Sequence, residues 1–192
     1  REQEAQGMNV YEDRDGNIWY GTSQRGVIWF NPKLDFIKLY QRNYANPVSL
    51  GDDRVCHFFP APNGNMYVAN GAGLSLLDIK KETFTNYPRS VNDDGIYPAR
   101  VARNIISTGD SLVIATDGGL SFYDQSKKVF TRYVNRYDNT PYALFSNRIL
   151  LVFNIQPGNL LLISVEGTAA RFDMKTGRCY SADFPDTNDS LY

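Results

Sequence analysis

Apolar residues in this chain come in short, strand-length runs broken by Gly, Asp, Asn and Pro, and no stretch sustains a helical period. The first group of runs covers residues 9–12, 18–22, 27–30 and 36–40. The link Asp13-Arg14-Asp15-Gly16-Asn17 has the composition of a tight turn: Asp and Asn side chains satisfy local backbone donors, and Gly16 supplies positive φ. Asn31-Pro32-Lys33-Leu34-Asp35 plays the same part between the third and fourth runs. The pattern predicts a four-stranded antiparallel meander. Runs such as Leu112-Val113-Ile114-Ala115 and Leu160-Leu161-Leu162-Ile163 are continuous rather than alternating, so both faces of such a meander require cover.

The group recurs. Asp15-Gly16-Asn17-Ile18-Trp19-Tyr20-Gly21-Thr22 is echoed by Asn63-Gly64-Asn65-Met66-Tyr67-Val68, by Leu112-Val113-Ile114-Ala115-Thr116, and more weakly by Pro157-Gly158-Asn159-Leu160-Leu161-Leu162. The Asn or Asp that closes the third run falls at 31, 78, 124 and 173, giving spacings of 47, 46 and 49. A repeat of that length holding several short strands predicts propeller blades. The expected architecture is all-β: one β-propeller segment over residues 1–192, with four consecutive four-stranded antiparallel blades near 8–42, 54–88, 100–134 and 148–184. Stacking blades around an axis covers both faces of each, so Trp19 and Tyr67, at equivalent places, are expected to pack between blades rather than to meet a sugar.

Composition narrows the function. Hydrophobic residues make up 42% and aromatics 14%, enough for a packed core. Lys+Arg 20 against Asp+Glu 21 leaves a net charge of -1, which disfavours nucleic acid or an anionic membrane surface as partner. No run of about 18 apolar residues is present, and Arg1-Glu2-Gln3-Glu4 lacks the apolar core of a signal peptide. Cys56 and Cys179 sit at different places in different repeats and read as buried free thiols. The single histidine, His57, lies in a strand-like run and reads as a strand residue, so neither a metal site nor a His-dependent nucleophile is expected, and no cofactor is called for.

With Asp13 to Thr22 laid out, followed by Gly26-Val27-Ile28-Trp29-Phe30-Asn31-Pro32, the chain resembles the two-component regulator propeller repeat. Asn46-Pro47-Val48-Ser49-Leu50-Gly51-Asp52-Asp53 looks like that family's linker into the next blade, and Asp186-Thr187-Asn188-Asp189-Ser190-Leu191 restarts it. The first unit matches specifically; the second and third lack the Trp, and the fourth has Ala169-Ala170-Arg171 where apolar residues are expected. The resemblance implies the periplasmic sensor region of an inner-membrane hybrid histidine kinase of the Bacteroidetes type, detecting oligosaccharides and controlling glycan-utilisation genes. It also implies a parent propeller of about seven blades, with the remaining blades as partners and the kinase and membrane segments elsewhere. Independently of family, two uncovered blade faces are a liability, so the chain is expected either to self-associate or to close as a four-bladed ring.

Ligand contacts are expected on the face formed by the loops between second and third strands and by the long linkers 41–53, 88–99 and 134–147. These are rich in Asn, Asp, Tyr and Arg, which suits sugar hydroxyls and sugar faces. Tyr44, Tyr97 and Tyr142 are the stacking candidates, with Arg25, Asn70 and Asp117 from the shorter loops. Arg54, Arg100 and Arg148 recur 46 and 48 residues apart, each before the Val or Ile that starts an innermost strand. They would converge at the channel mouth and suit an acidic ligand, unless each pairs with a carboxylate of a neighbouring blade. Two other readings compete: a scaffold for protein partners, and a sialidase-like glycoside hydrolase suggested by the Asp13–Trp19 turn. The latter turn lacks the Ser of an Asp-box, and no carboxylate pair stands out for glycosidase chemistry.

Overall fold

Four Asx-type turns set the repeat. In the computed structural model, which describes residues 6–87, 101–133 and 144–181, the side chains of Asn31, Asp78, Asp124 and Asp173 accept backbone N–H bonds from residues two or three further on. Four residues after each lies a left-handed residue: Asp35 (φ 48°), Glu82 (φ 58°), Lys128 (φ 58°) and Gly177 (φ 69°). Only the last copy uses the residue best suited to that conformation.

The turns join four antiparallel meanders. Blade 1 comprises β1 (Gly7–Glu12), β2 (Ile18–Thr22), β3 (Val27–Asn31) and β4 (Phe36–Tyr40), and blade 2 comprises β5 (Val55–Pro60), β6 (Met66–Asn70), β7 (Gly73–Asp78) and β8 (Thr83–Asn86). Blade 3 comprises β9 (Ala102–Thr108), β10 (Ser111–Thr116), β11 (Gly119–Asp124) and β12 (Val129–Tyr133), and blade 4 comprises β13 (Ile149–Gln156), β14 (Asn159–Ser164), β15 (Ala169–Asp173) and β16 (Arg178–Ser181). One 3-10 turn, Pro62–Gly64, interrupts the β5–β6 connection.

Alternate residues of each strand point to opposite neighbours, and both sets are apolar. Between blades 1 and 2, Trp19 and Val27 meet Phe58, Met66, Val68, Leu77 and Phe84. Trp19 is 1% exposed, with its ring centroid 6.1 Å from Trp29 and 6.3 Å from Phe58. Between blades 2 and 3, Tyr67, Ala69 and Leu74 meet Ile105, Leu112, Ile114 and Tyr123. Between blades 3 and 4, Val113, Ala115 and Leu120 meet Val152, Leu160, Leu162 and Phe172. The continuous apolar runs are therefore explained by stacking, and Trp19 and Tyr67 pack between blades as their position implied.

The innermost strands pack in the sequence β1, β5, β9, β13, and among the described residues no comparable packing joins β13 to β1. The four blades form an open arc rather than a closed ring. Each innermost strand carries one register irregularity at its start: Gly7/Asn9, Val55/His57, opposite Ala115/Thr116, and Ile149/Leu151. The residue just after this bulge reaches across to the next blade in two places. His57 Nδ1 accepts the Ile105 N–H at 3.3 Å, and Asn104 Oδ1 accepts the Val152 N–H at 3.0 Å.

The arc ends in two uncovered faces. On blade 1, the cross-strand rows Val10–Tyr20–Ile28–Leu39 and Ile18–Phe30–Ile37 occupy the register of Phe58–Val68 and Met66–Leu77–Phe84 in blade 2. Phe58 and Val68 are 2% and 0% exposed, whereas Val10, Ile37 and Leu39 are 61%, 65% and 50% exposed. Blade 4 presents Phe153, Leu161 and Ile163 at the other end, with the Arg171 guanidinium 4.6 Å over the Tyr180 ring.

Candidate functional site

The acidic turn that opens the first repeat is a structural element. Asp13 Oδ1 accepts the Asp15 and Asn17 N–H bonds at 3.0 and 2.9 Å, and Oδ2 accepts the Trp19 indole N–H at 2.8 Å and an Asn17 amide bond at 2.9 Å. Partial burial pushes the Asp13 carboxyl up, but the bonds from Trp19, Asn17 and Asp15 outweigh it and hold the group below 3.8. With both oxygens committed to shaping the turn, Asp13 is poorly placed for acid–base chemistry. The turn also lies at the end of the meander opposite the β2–β3 loop.

At that opposite end, one buried polar residue per blade closes the β2–β3 loop: Thr22, Asn70, Thr116 and Ser164, none more than 2% exposed. Asn70 donates to Ser75 Oγ at 2.8 Å and accepts the Ala72 N–H at 2.9 Å, so this sequence-derived ligand candidate belongs to the loop-closing set. Arg25 is exposed on the first loop, its N–H donated to Thr22 Oγ1 at 2.7 Å. Asp117 forms a two-point ion pair with Arg103, at 2.5 Å to Nε and 3.0 Å to the terminal nitrogen.

Arg54 and Arg148 hold the same backbone position in their blades. The carbonyls of Gln6, Arg54, Val101 and Arg148 each accept an N–H from the loop between the second and third strands of their own blade, at 2.8 to 3.0 Å. Val101, not the residue before it, holds this register in blade 3. The arginine packed there is Arg103, whose place on the bulge corresponds to Cys56. Arg148 pairs at 3.4 Å with Glu166 in its own blade. Arg54 lies beside the Cys56 thiol and among the described residues makes no ion pair; burial pushes that thiol up, against the pull of the Arg54 and Arg103 charges. Arg100, Tyr97 and Tyr142 lie outside the described residues.

Among the described candidates, Tyr44 lies at the mouth of a cleft. A cleft of about 400 Å³ opens between the 41–53 linker and blade 2, lined by Arg42, Asn43, Tyr44, Asn46, Asn86 and Tyr87 among others. The linker is organised by its own side chains. Asn43 Oδ1 accepts the Ala45 N–H at 3.0 Å, Asn46 Oδ1 accepts the Val48 N–H at 3.2 Å, and Ser49 Oγ accepts the Asn43 N–H at 2.9 Å. Its Val48 carbonyl accepts the Phe84 N–H at 2.8 Å, and Leu50 is buried beneath it at 1% exposure. The floor is a chain of polar side chains: Asn70 donates to Ser75, Ser75 to Asn86 Oδ1 at 2.6 Å, and Asn86 Nδ2 to the Ser49 carbonyl at 2.8 Å. Tyr44 is 87% exposed, with the Arg42 guanidinium 4.2 Å from its ring centroid.

Sequence reasoning identified this linker and Tyr44 but not Arg42, Asn43, Asn46 or Asn86. The Asn43-x-x-Asn46-Pro47 spacing signals tandem turns, whereas Asn86 is brought in only by the fold. Among the described residues no cluster of His, Cys, Asp and Glu could hold a metal ion, and no helix is long and apolar enough to cross a membrane.

Comparison with known proteins agrees with the fold. Residues 8–24 match the family model described as "Two component regulator propeller". No curated protein matches the chain. Among solved structures, the chain is similar to the extracellular domain described for the hybrid two component system BT3049 of B. thetaiotaomicron, at 22% identity and TM-score 0.72, covering 93% of this chain and 24% of that one. It is also similar to the corresponding domain of BT4673 from the same organism, at 18% identity and TM-score 0.77, covering 93% and 25%. PorZ, a surface component of the type-IX secretion system of Porphyromonas gingivalis, matches at 18% identity and TM-score 0.65, covering 90% and 26%. The chain thus spans about a quarter of the length of these structures, as an arc of a larger propeller does.

Proposed function

We propose that this chain is the ligand-binding arc of an extracytoplasmic, periplasmic sensor propeller that reports to a two-component histidine kinase, and that its ligand is an oligosaccharide whose detection regulates glycan-utilisation genes. The cleft over blade 2 is the observation that carries this reading. It combines an exposed aromatic face with amide and guanidinium donors held on a linker whose own hydrogen bonds fix its shape, and sugars offer flat apolar faces and close-set hydroxyls in return. A preformed linker loses little entropy on binding. The cleft also lies at the junction of blades 1 and 2, where ligand contact with the linker bears on the packing between blades.

The remaining pieces belong to the parent protein. Further blades cover the two open faces of the arc, and the kinase and membrane-spanning segments lie outside the four blades. The role of this segment is binding rather than turnover.

The test is a panel of labelled glycans presented to the full chain, followed by calorimetric titration of any hit and chromatography for cleavage products. Saturable binding of at least one oligosaccharide without cleavage is the expected result. Failure of every glycan to bind, or turnover of any, would overturn the reading.

A further inference from the structure

We propose that the cleft between the 41–53 linker and blade 2 selects an oligosaccharide carrying anionic groups, carboxylate or sulfate ester, and that Arg42 is the residue that reads the charge. The inference deepens the proposed function and rests on the cleft being the sugar site.

The argument is one of donors and acceptors. Asn43 and Asn46 each use Oδ1 on a backbone N–H of the linker, and that partner fixes the orientation of both amides. What each has left to offer the cleft is its NH₂ group. The floor side chains are engaged with one another and with the linker backbone on both sides. Asn86 Oδ1 takes the Ser75 hydroxyl while its Nδ2 donates to the Ser49 carbonyl, and Ser49 Oγ takes the Asn43 N–H while donating to the Asn43 and Asn46 carbonyls. The wholly unused groups are therefore the amide NH₂ donors of Asn43 and Asn46. None of the lining residues is a carboxylate, and Arg42 is the single cation among them. The side chains of the cleft are thus rich in donors and poor in acceptors, a surface complementary to a ligand rich in acceptor oxygens.

Arg42 is placed to supply the charge. Its backbone N–H is anchored to Asp53 Oδ1 at 2.7 Å, which fixes where the side chain starts. The guanidinium stacks over Tyr44, with a terminal nitrogen 3.7 Å from Asp52 Oδ2. That separation makes an ion pair but is too long for a hydrogen bond, so the N–H donors of the planar fork stay open to an incoming anion, which competes with Asp52 for the charge. Arg42 and Asp52 side chains are 37% and 34% exposed, so solvent screens their attraction. Stacking on Tyr44 presents the guanidinium edge, where two N–H bonds can meet one carboxylate or sulfate.

The test compares a uronic-acid sugar with its charge-neutral ester, and adds a sulfated sugar as the second source of anionic groups. Tetragalacturonate, its methyl-esterified counterpart and a sulfated neocarratetraose are titrated into the full chain, into Arg42→Gln and into Arg42→Lys. The acid or the sulfated sugar is expected to bind at least about tenfold more tightly than the ester, the discrimination of one charge-assisted pair. Arg42→Gln should abolish that preference, with a melting temperature matching the parent's to report that the variant is folded. Arg42→Lys, with a charge but no fork, should recover only part of it. Whichever anionic sugar is preferred identifies the anion's source. Equal binding of acid, sulfate and ester, or a preference that survives Arg42→Gln, would overturn the charge reading while leaving sugar recognition intact. Absence of binding by these sugars and by the whole glycan panel would remove both.

Discussion

His57, the chain's only histidine, shows how one side chain can join two blades. Its Nδ1 accepts the Ile105 N–H, and Asn104, at the equivalent place in blade 3, does the same for Val152 through Oδ1. An acceptor there needs a lone pair, so the bond requires neutral imidazole with its proton on Nε2. Burial lowers the His57 pKa from 6.5. The unfolded chain therefore takes up this proton first as pH falls. The contribution is complete above about pH 6.5 and is lost as pH drops through the depressed native value. Urea unfolding at pH 8 and pH 5 should show His57→Asn matching the parent at pH 8 and exceeding it by about 1 kcal/mol at pH 5. An identical pH dependence in both proteins would refute the link.

At the scale of the element, the Asp13 turn holds β1 to β2 and orients Trp19 for the interface with blade 2. Asp13→Ala leaves the indole N–H of a residue that is 1% exposed without its partner. The expected cost is about 1–3 kcal/mol, with Asp13→Asn milder because its single amide oxygen still accepts one of the two sets of bonds, the turn N–H groups or the indole N–H. Because the Asp13 carboxyl sits below 3.8, its contribution is held above that pH and lost as pH falls through the lowered value. Chemical unfolding of the three proteins at pH 7 and pH 3 reads both effects, and a gap between parent and Asp13→Ala that does not narrow at pH 3 would count against the carboxylate's role.

Such turns are legible because their signal is local. Asp, Asn and Gly announce them within five residues, and the 46 to 49-residue period placed four meanders in their observed order. The arginine register was not legible for an equally physical reason. The loop-accepting backbone position recurs every 47 residues, at Arg54, Val101 and Arg148, while the arginines recur at 46 and 48, and residue identity alone does not say which of two neighbouring residues carries the backbone role. The cleft was legible by half: the linker and Tyr44 stand out in sequence, but Asn86 meets the Ser49 carbonyl from 37 positions further along the chain.

For the molecule as a whole, the two ends of the arc differ in character. On the open face of blade 1 the row Val10–Tyr20–Ile28–Leu39 carries no charge across all four strands, and Glu12 borders the row Ile18–Phe30–Ile37; Val10, Ile37 and Leu39 are half or more exposed. Blade 4 presents Phe153 at 43% exposure, but Arg171 and its stacked Tyr180 place a charge on that side. An apolar face of this extent is unstable in water. In the parent, a preceding blade would cover it through the register already used at the three internal interfaces. Alone, the 192-residue chain is expected to cover it with a second copy, blade 1 against blade 1 about a twofold axis, since pairing blade 1 with blade 4 would take the Arg171 charge out of water, with Asn159 and the Tyr180 ring beside it. Light scattering over a concentration series should report a dimer for the chain and for Phe153→Lys, and a monomer when Val10→Lys and Ile37→Lys are combined on one face. A dimer that survives the blade 1 pair but dissociates with Phe153→Lys would reverse the assignment and make blade 4 the adhesive end.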